Sequence, residues 1–418
     1  MTFYQSTAPS NSYPELDTTL TCEVCIIGAG FAGLATAAGL VERGVTNIVV
    51  LESKQLGYGA SGRNGGFVFG GFSLGNGALI AKLGSSTARD LYQLTLDAVE
   101  LIRHRIEKYH IDCDKNESGV LLTNWFDDDD ILIRQQELMQ RQFGVDWALW
   151  SREKTREHLR TDRYFGALHE KNAFHFHPLK YAQGLAAFLE AKGVRLFEQS
   201  KVLRIDSSHP EKIIYTDHGQ VHTPKVVLCC GGYIEQLEPS LSPSVLPITT
   251  FVMTTEPLGE RLHEAINTDA AVYDTRFAFD YYRPLNDTRL LWGGRISVFN
   301  PEPQQIAKKL YVDMLKVYPQ LEGAKIDHAW SGVMSYARHQ MPQIGQLPNG
   351  LWYAMGFGGH GISTTTLAGE VVAAGIAGNR EMPSGLENFG LPNSFGAIGL
   401  FAAQCAYWYY ELRDWWKG

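Results

Sequence analysis

Apolar residues along this chain fall into two kinds of run. Short continuous ones, Val24-Cys25-Ile26-Ile27, Ile48-Val49-Val50-Leu51, Val226-Val227-Leu228 and Leu351-Trp352-Tyr353-Ala354-Met355, read as strands buried on both faces. Longer ones space their apolar residues as helices do: Ala32 to Arg43, Thr87 to Tyr109, Ile131 to Phe143, Pro178 to Lys192 and Leu367 to Ile376. Gly119 to Thr123 is strand-like, and Val194 to Glu198 and Lys201 to Ile205 resume sheet structure. Val245 to Ser297, rich in Thr, Val, Phe, Tyr and Trp, reads as several antiparallel strands. The acids Asp127 to Asp130 read as a solvated helix start. Phe174-His175-Phe176-His177 alternates like a strand and puts both histidines on one face, but no acid or cysteine pattern completes a metal site, so no metal is expected.

Glycines sit where strands turn into helices. Val24 to Ile27 leads into Gly28-Ala29-Gly30-Phe31-Ala32-Gly33, then a helix, a second strand and a terminal acid, Glu52, nineteen residues past Gly33. That order is a dinucleotide site: Gly28 for the tight turn, Gly30 for backbone approach to a pyrophosphate, Gly33 for close helix packing, Glu52 for the ribose hydroxyls. An acid there would repel the extra phosphate of NADP. A second glycine loop, Gly57 to Gly66, suits backbone laid against a flat ring with Arg63 and Asn64 reaching its edge. Lys225 to Leu228 ends in Gly231-Gly232, and Gly356 to Gly361 opens the last helix, whose amides can stabilise negative charge on a bound ring. Four separated cofactor elements fit a long, buried, permanently held FAD better than NAD.

Composition narrows the picture further. A chain of 418 residues exceeds what one core usually holds, so two domains are expected. A net charge of −8 gives no electrostatic case for nucleic acid. Residues 1–16 lack the basic start and apolar run of an export signal, which makes the cytoplasm the expected location. Cys22 and Cys25 are spaced CxxC but lie at the first strand rather than opening a helix, so no redox role is expected.

With these motifs the chain resembles the D-amino-acid oxidase family of FAD-dependent oxidoreductases over about residues 20 to 385. The run Gly59 to Gly66, Asp280-Tyr281-Tyr282-Arg283, Arg289-Leu290-Leu291 with Gly293-Gly294, and Gly359-His360-Gly361 are similar to its gamma-glutamylputrescine oxidase branch. The resemblance implies an α/β fold: a Rossmann-type FAD-binding domain (residues 17–90, 178–244 and 330–385) interleaved with an α+β substrate domain (91–177 and 245–329) built on an antiparallel sheet, and a tail from 386 to 418. It implies oxidation of an amine or amino acid at a C–N bond to an imine, with hydride transfer to the N5 of a noncovalent FAD. A non-catalytic flavoprotein or electron-transfer subunit is the alternative. The implied cofactor-binding set is Gly28, Gly30, Phe31, Ala32, Gly33, Glu52, Ser53, Gly59, Ala60, Ser61, Gly62, Arg63, Asn64, Gly65, Gly66, Val202, Gly231, Gly358, Gly359, His360, Gly361 and Ile362. Tyr281, Arg283 and His360 are the catalytic candidates.

On a strand Tyr281 and Arg283 share one face, where an aromatic and a cation could hold an acidic or amide-bearing substrate; an outward Arg in a surface strand is the other reading. Arg63 and Arg338 compete for the same task. In glycine and D-amino-acid oxidases an arginine eight residues before a Pro-x-Ile-Gly turn grips the substrate carboxylate, and counting back from Pro342 reaches Met334. That departure favours an amine such as gamma-glutamylputrescine, or an amino acid such as L-pipecolate bound by another arginine. Sarcosine oxidases carry an oxygen-activating lysine in the strand resembling Arg289 to Arg295, and none occurs here, which points to a quinone or electron-transfer acceptor. Phe395 to Tyr410 is short for a bilayer span, and with Trp415, Trp416, Arg413 and Lys417 it suits either a helix lying on the cytoplasmic face of a membrane or one packed on the body or a dimer partner.

Overall fold

Val24–Ile27, with Val or Ile at three of its four positions, is buried on both faces and lies parallel between Ile48–Leu51 and Lys225–Leu228. Arg195–Phe197 extends this sheet on one side. Trp352–Met355 and then antiparallel Gln343–Gln346 extend it on the other, giving six strands. The computed structural model describes residues 1–9, 11–299, 301–379 and 382–417. The helices Phe31–Glu42 and Gly361–Ile376 cross closely, because small residues line the seam: a Cβ on Gly39 would stand 2.9 Å from that of Ala373, and one on Gly369 would stand 2.7 Å from that of Ala35. Helix Ser85–Lys108 completes the layer through Arg105, which is fully buried and reaches both oxygens of Glu42 (3.0 and 2.7 Å) and also Glu370.

A second sheet has eight strands. Ile326–Ala337, Val245–Thr255, Leu290–Ser297, Asp280–Pro284 and Ala271–Asp274 are antiparallel neighbours, after which Val120–Thr123 joins parallel to Ala271–Asp274 and Ala167–Glu170 and Ala148–Trp150 follow. Alternation along Asp280–Pro284 gives the sheet two unlike faces. Tyr282 points back, stacked on Trp292 at 4.4 Å with its hydroxyl 3.0 Å from that of Tyr318, into a core covered by helix Pro303–Val317. Tyr281 and Arg283 point forward to the glycine loops.

Most expected elements are found within a residue or two, and the departures have local causes. Ile326–Ala337 pairs along its length with Val245–Thr255, so residues 330–337 belong to the eight-stranded sheet and not with the parallel one. Lys201 to Ile205 yields only Arg204–Asp206, in a separate four-stranded sheet. Past Leu138 the helix begun at Asp130 widens into the π-helical turn Met139–Phe143, closed by left-handed Gly144. Asp129 starts that helix without a side-chain cap, while Asp128 accepts from the amide of Asp130 at 3.1 Å. The strand at 174 ends after His175, because Pro178 opens a helix that His177 caps by accepting from the Lys180 amide.

Candidate active site

Gly28 adopts φ +106°, and a Cβ on it would stand 2.6 Å from the carbonyl oxygen of Cys229; one on Gly33 would overlap the carbonyl of Gly28. The turn therefore lets helix Phe31–Glu42 start hard against the strand ends, with its N-terminus facing outward. Glu52 closes the next strand half-buried, accepting from the amides of Ala29 (2.9 Å) and Lys54 (3.0 Å) and from the Ser53 hydroxyl (3.2 Å). Burial holds its carboxyl above the usual range against the pull of those donors. The glycine turn, the helix N-terminus and a carboxylate at the second strand end are the donor and acceptor set that an adenine dinucleotide needs. Val202 lies in the same apolar cluster as Ile27 and Leu51.

The second glycine loop docks onto this cradle. The Ser61 hydroxyl accepts from the Phe31 amide at 2.8 Å, and the Gly57 amide donates to Ala29. Asn64 does not reach outward as expected: its amide donates to the carbonyls of Ala60 and Ser61 and accepts from the Gly66 amide, so it shapes the loop. Arg63 is likewise committed, to the carbonyls of Tyr58 (2.7 Å) and Ser331 (3.1 Å). What Ala60, Gly62 and their neighbours present is backbone.

Arg283 corrects a second expectation. Its buried guanidinium donates to the carbonyls of Gly65 (2.7 Å) and Phe176 (2.9 Å) and more weakly to the hydroxyl of Tyr4 and Nδ1 of His175, both at 3.4 Å. It ties loop, strand and N-terminal helix together and is not free to grip a substrate. His175 donates from Nε2 to the carbonyl of Asp269 (2.8 Å). Burial and the Arg283 charge push His175 down to about 3, and burial with Arg283 and Lys180 does the same to His177. The pair expected on one strand face thus holds hydrogen-bonding posts, with His177 Nε2 3.0 Å from the Thr7 hydroxyl. Arg338 is exposed, its guanidinium 5.7 Å from the ring of Phe395.

Tyr281 is where sheet and loop meet. A Cβ on Gly65 would stand 2.7 Å from its ring, and Gly293 leaves room for the same ring on the adjacent strand. Phe67 packs edge-on at 5.6 Å. Phe69 continues this wall, stacked on Tyr273 at 5.8 Å and edge-on to His360 at 5.1 Å. Burial pushes His360 down to about 4 and so keeps it neutral. Gly358 takes φ +61°, and Ser73 accepts from the amides of Gly359 (2.8 Å) and His360 (3.3 Å), leaving Gly361 and Ile362 to open the helix. Gly231 lies in the turn after Lys225–Leu228.

Two participants escaped the sequence reading. The first is helix Phe3–Thr7, whose buried Tyr4 donates to the carbonyl of Asn64 at 2.8 Å; Thr2 and Gln5 form a capping box that signals it. The second is Glu170, buried near Tyr273, whose carboxyl burial pushes up to about 8.

Residues 23–374 match the family described as FAD dependent oxidoreductase, DAO. The chain belongs to that family. As one of these oxidoreductases, with FAD as the family's cofactor, it is 34% identical over 421 residues to the probable oxidoreductase OrdL of Haemophilus influenzae, covering 99% of this chain and 96% of that protein. Gamma-glutamylputrescine oxidoreductase of Escherichia coli is also 34% identical, over 415 residues and 97% of each chain. Glycine oxidase from Geobacillus kaustophilus superposes with a TM-score of 0.75 at 21% identity, over 90% of this chain and 100% of that one. L-proline dehydrogenase from P. horikoshii gives 0.73 at 20%, over 90% and 97%. These two share the fold: a mixed α/β architecture built on several sheets.

Proposed function

We propose that this FAD-dependent oxidoreductase oxidises the C–N bond of an amine resembling gamma-glutamylputrescine to an imine that water then hydrolyses. The observation that carries this reading is the commitment of Arg63 and Arg283 to backbone carbonyls, with Met334 where related amino-acid oxidases hold an arginine. With Arg63 and Arg283 committed and Arg338 exposed beside Phe395, none of the three is set to grip a carboxylate on the carbon that is oxidised, as L-pipecolate would need; the carboxylate of gamma-glutamylputrescine lies at the far end of its chain. Near-full-length similarity to an oxidoreductase named for gamma-glutamylputrescine supports the same choice.

In this reading Gly28, Gly30, Phe31, Ala32 and Gly33 receive the pyrophosphate, Glu52 the ribose, and the loop Gly59 to Gly66 with Gly358 to Ile362 the ring system. Bound FAD would supply the acceptor for the hydride that leaves the substrate α-carbon. It is held noncovalently, because burial pushes the nearby Cys229 thiol up to about 12 and Cys230 higher, keeping both unreactive. Tyr281, Phe67, Phe69 and Tyr273 form an aromatic wall that excludes water and packs the methylene chain of the substrate. Arg283 leaves a positive charge behind that wall, which favours the neutral amine, the form able to lose hydride. Strand Leu290–Ser297 holds no lysine, so the acceptor is a quinone or other electron carrier in preference to oxygen, and the enzyme works in the cytoplasm.

The test is anaerobic mixing with gamma-glutamylputrescine, putrescine and L-pipecolate while the flavin band is followed. Gamma-glutamylputrescine should bleach it and a quinone analogue should restore it faster than air. Bleaching by L-pipecolate alone would reverse the substrate choice, and no bleaching by any amine would leave a non-catalytic flavoprotein.

A further inference from the structure

The C-terminal helix Gly396–Lys417 divides its side chains by charge and polarity. Inward, Gln404 accepts from the Val298 amide (3.0 Å), Glu411 pairs with Arg295 (3.0 Å), and Asp414 accepts from the amides of Phe277 (2.8 Å) and Ala278 (3.1 Å). Outward runs a helical stripe of Ile398, Phe401, Trp408, Leu412, Trp415 and Trp416, with Phe401 67% and Trp415 75% exposed. The helix's two acids are thus turned in and partnered, while Arg413 and Lys417 belong to the turns that carry the outer tryptophans. No helix among the described residues is long and apolar enough to cross a membrane.

Beside the stripe opens a cleft of about 580 Å³, bordered by Trp408 and Trp415 and lined by four cations, Arg163, Arg276, Arg295 and Lys316, and by four acids, Asp280, Asp313, Glu411 and Asp414. Arg276 pairs with Asp274 and Asp280, Arg295 with Asp313 and Glu411, and Lys316 with Asp313. Among the described residues Arg163 has no carboxylate in contact. Its guanidinium lies 3.7 Å from the ring centre of Trp125 and that of Arg276 lies 3.6 Å from it, distances that put the two on opposite faces. Tyr407 borders the same cleft with its hydroxyl buried. An unpaired cation in a cleft rimmed by exposed tryptophans is complementary to a phosphate anchored to an apolar phase.

We propose that this helix seats on an anionic phospholipid surface, its aromatic stripe entering the headgroup layer and Arg163 taking a headgroup phosphate. The choice over a second copy of the chain rests on charge: both acids of the helix are paired, Glu411 with Arg295 and Asp414 with Arg413, which leaves Lys417 and the aromatics as what its outward side offers. The inference stands apart from the substrate chemistry. Because Asp414 holds the loop from Phe277, and Phe279 of that loop packs 6.4 Å from Tyr281, the docked helix also braces the aromatic wall.

The full FAD-loaded chain is sedimented with vesicles of phosphatidylcholine alone and with about a quarter phosphatidylglycerol added. Binding should favour the anionic vesicles. Phe401→Asp with Trp415→Asp should lower the bound fraction about tenfold at unchanged flavin content. Arg163→Gln should remove the preference for anionic vesicles while the stripe still binds weakly. Absence of binding, or equal binding to both vesicles, overturns the proposal. So does light scattering that shows a dimer lost in the double variant, which assigns the stripe to a second copy. Inorganic phosphate that raises the melting temperature of the parent but not of Arg163→Gln, without vesicle binding, assigns the cleft to free phosphate and overturns it likewise.

Discussion

Two buried arginines organise this molecule in opposite ways. Arg105 lies behind the parallel sheet and meets two carboxylates, Glu42 and Glu370, so its charge is cancelled where it sits. Arg283 lies in front of the eight-stranded sheet and meets only carbonyls, a hydroxyl and a neutral imidazole. The first is a clasp among three helices. The second holds the glycine loop and leaves its charge in force. A buried cation near a site can therefore serve cohesion or electrostatics, and the partner set tells which.

Removing Arg105 should have the largest effect. Arg105→Met strands two acids against each other in a layer where breaking a buried pair costs about 3–5 kcal/mol. Urea unfolding should show that loss, and a loss under about 1 kcal/mol would remove the clasp from the account.

Acid should expose the second arginine next. Burial and Arg283 depress His175 from 6.5 to about 3, so above pH 6.5 neither the folded nor the unfolded chain protonates it. As pH falls below 6.5 only the unfolded chain takes up the proton, and stability drops by about 1.4 kcal/mol per pH unit from this residue until the folded value is reached. His175→Gln should flatten the profile between pH 6 and pH 4; an unchanged slope would mean that His175 is charged in the fold.

Arg283→Met should have the smallest effect on stability at neutral pH, about 1–3 kcal/mol, since stranding two carbonyls is partly offset by removing an unpaired buried charge. Its distinguishing effects are a raised His175 pKa, measurable by NMR titration, and weaker FAD retention. Full FAD retention would show that the loop needs no such tie.

What the sequence disclosed follows the same division. Gly28 to Gly33 and Glu52 were legible because a turn, a helix start and a strand end are set by residues close in the chain. The two faces of Asp280–Pro284 were legible because alternation is local. The roles of Arg63, Arg283 and Arg338 were not. Each is decided by which carbonyl or ring arrives from elsewhere: Ser331 for Arg63, Phe176 for Arg283, Phe395 for Arg338. Tyr4 was missed for the same reason, since its partner Asn64 lies 60 residues on. The boundary at 330 misplaced a strand because an apolar alternating run does not say which of two sheets it will join.

The order of strands in the parallel sheet also governs what a ribosome can release. Within that sheet Val24–Ile27 is made first, yet one neighbour, Lys225–Leu228, follows some two hundred residues later, and the helix Gly361–Ile376 that seals against Phe31–Glu42 follows later still. A nascent chain therefore carries its glycine turn and bare strand exposed until those partners are made, and it can close around a nucleotide only after Gly361–Ile376 has emerged.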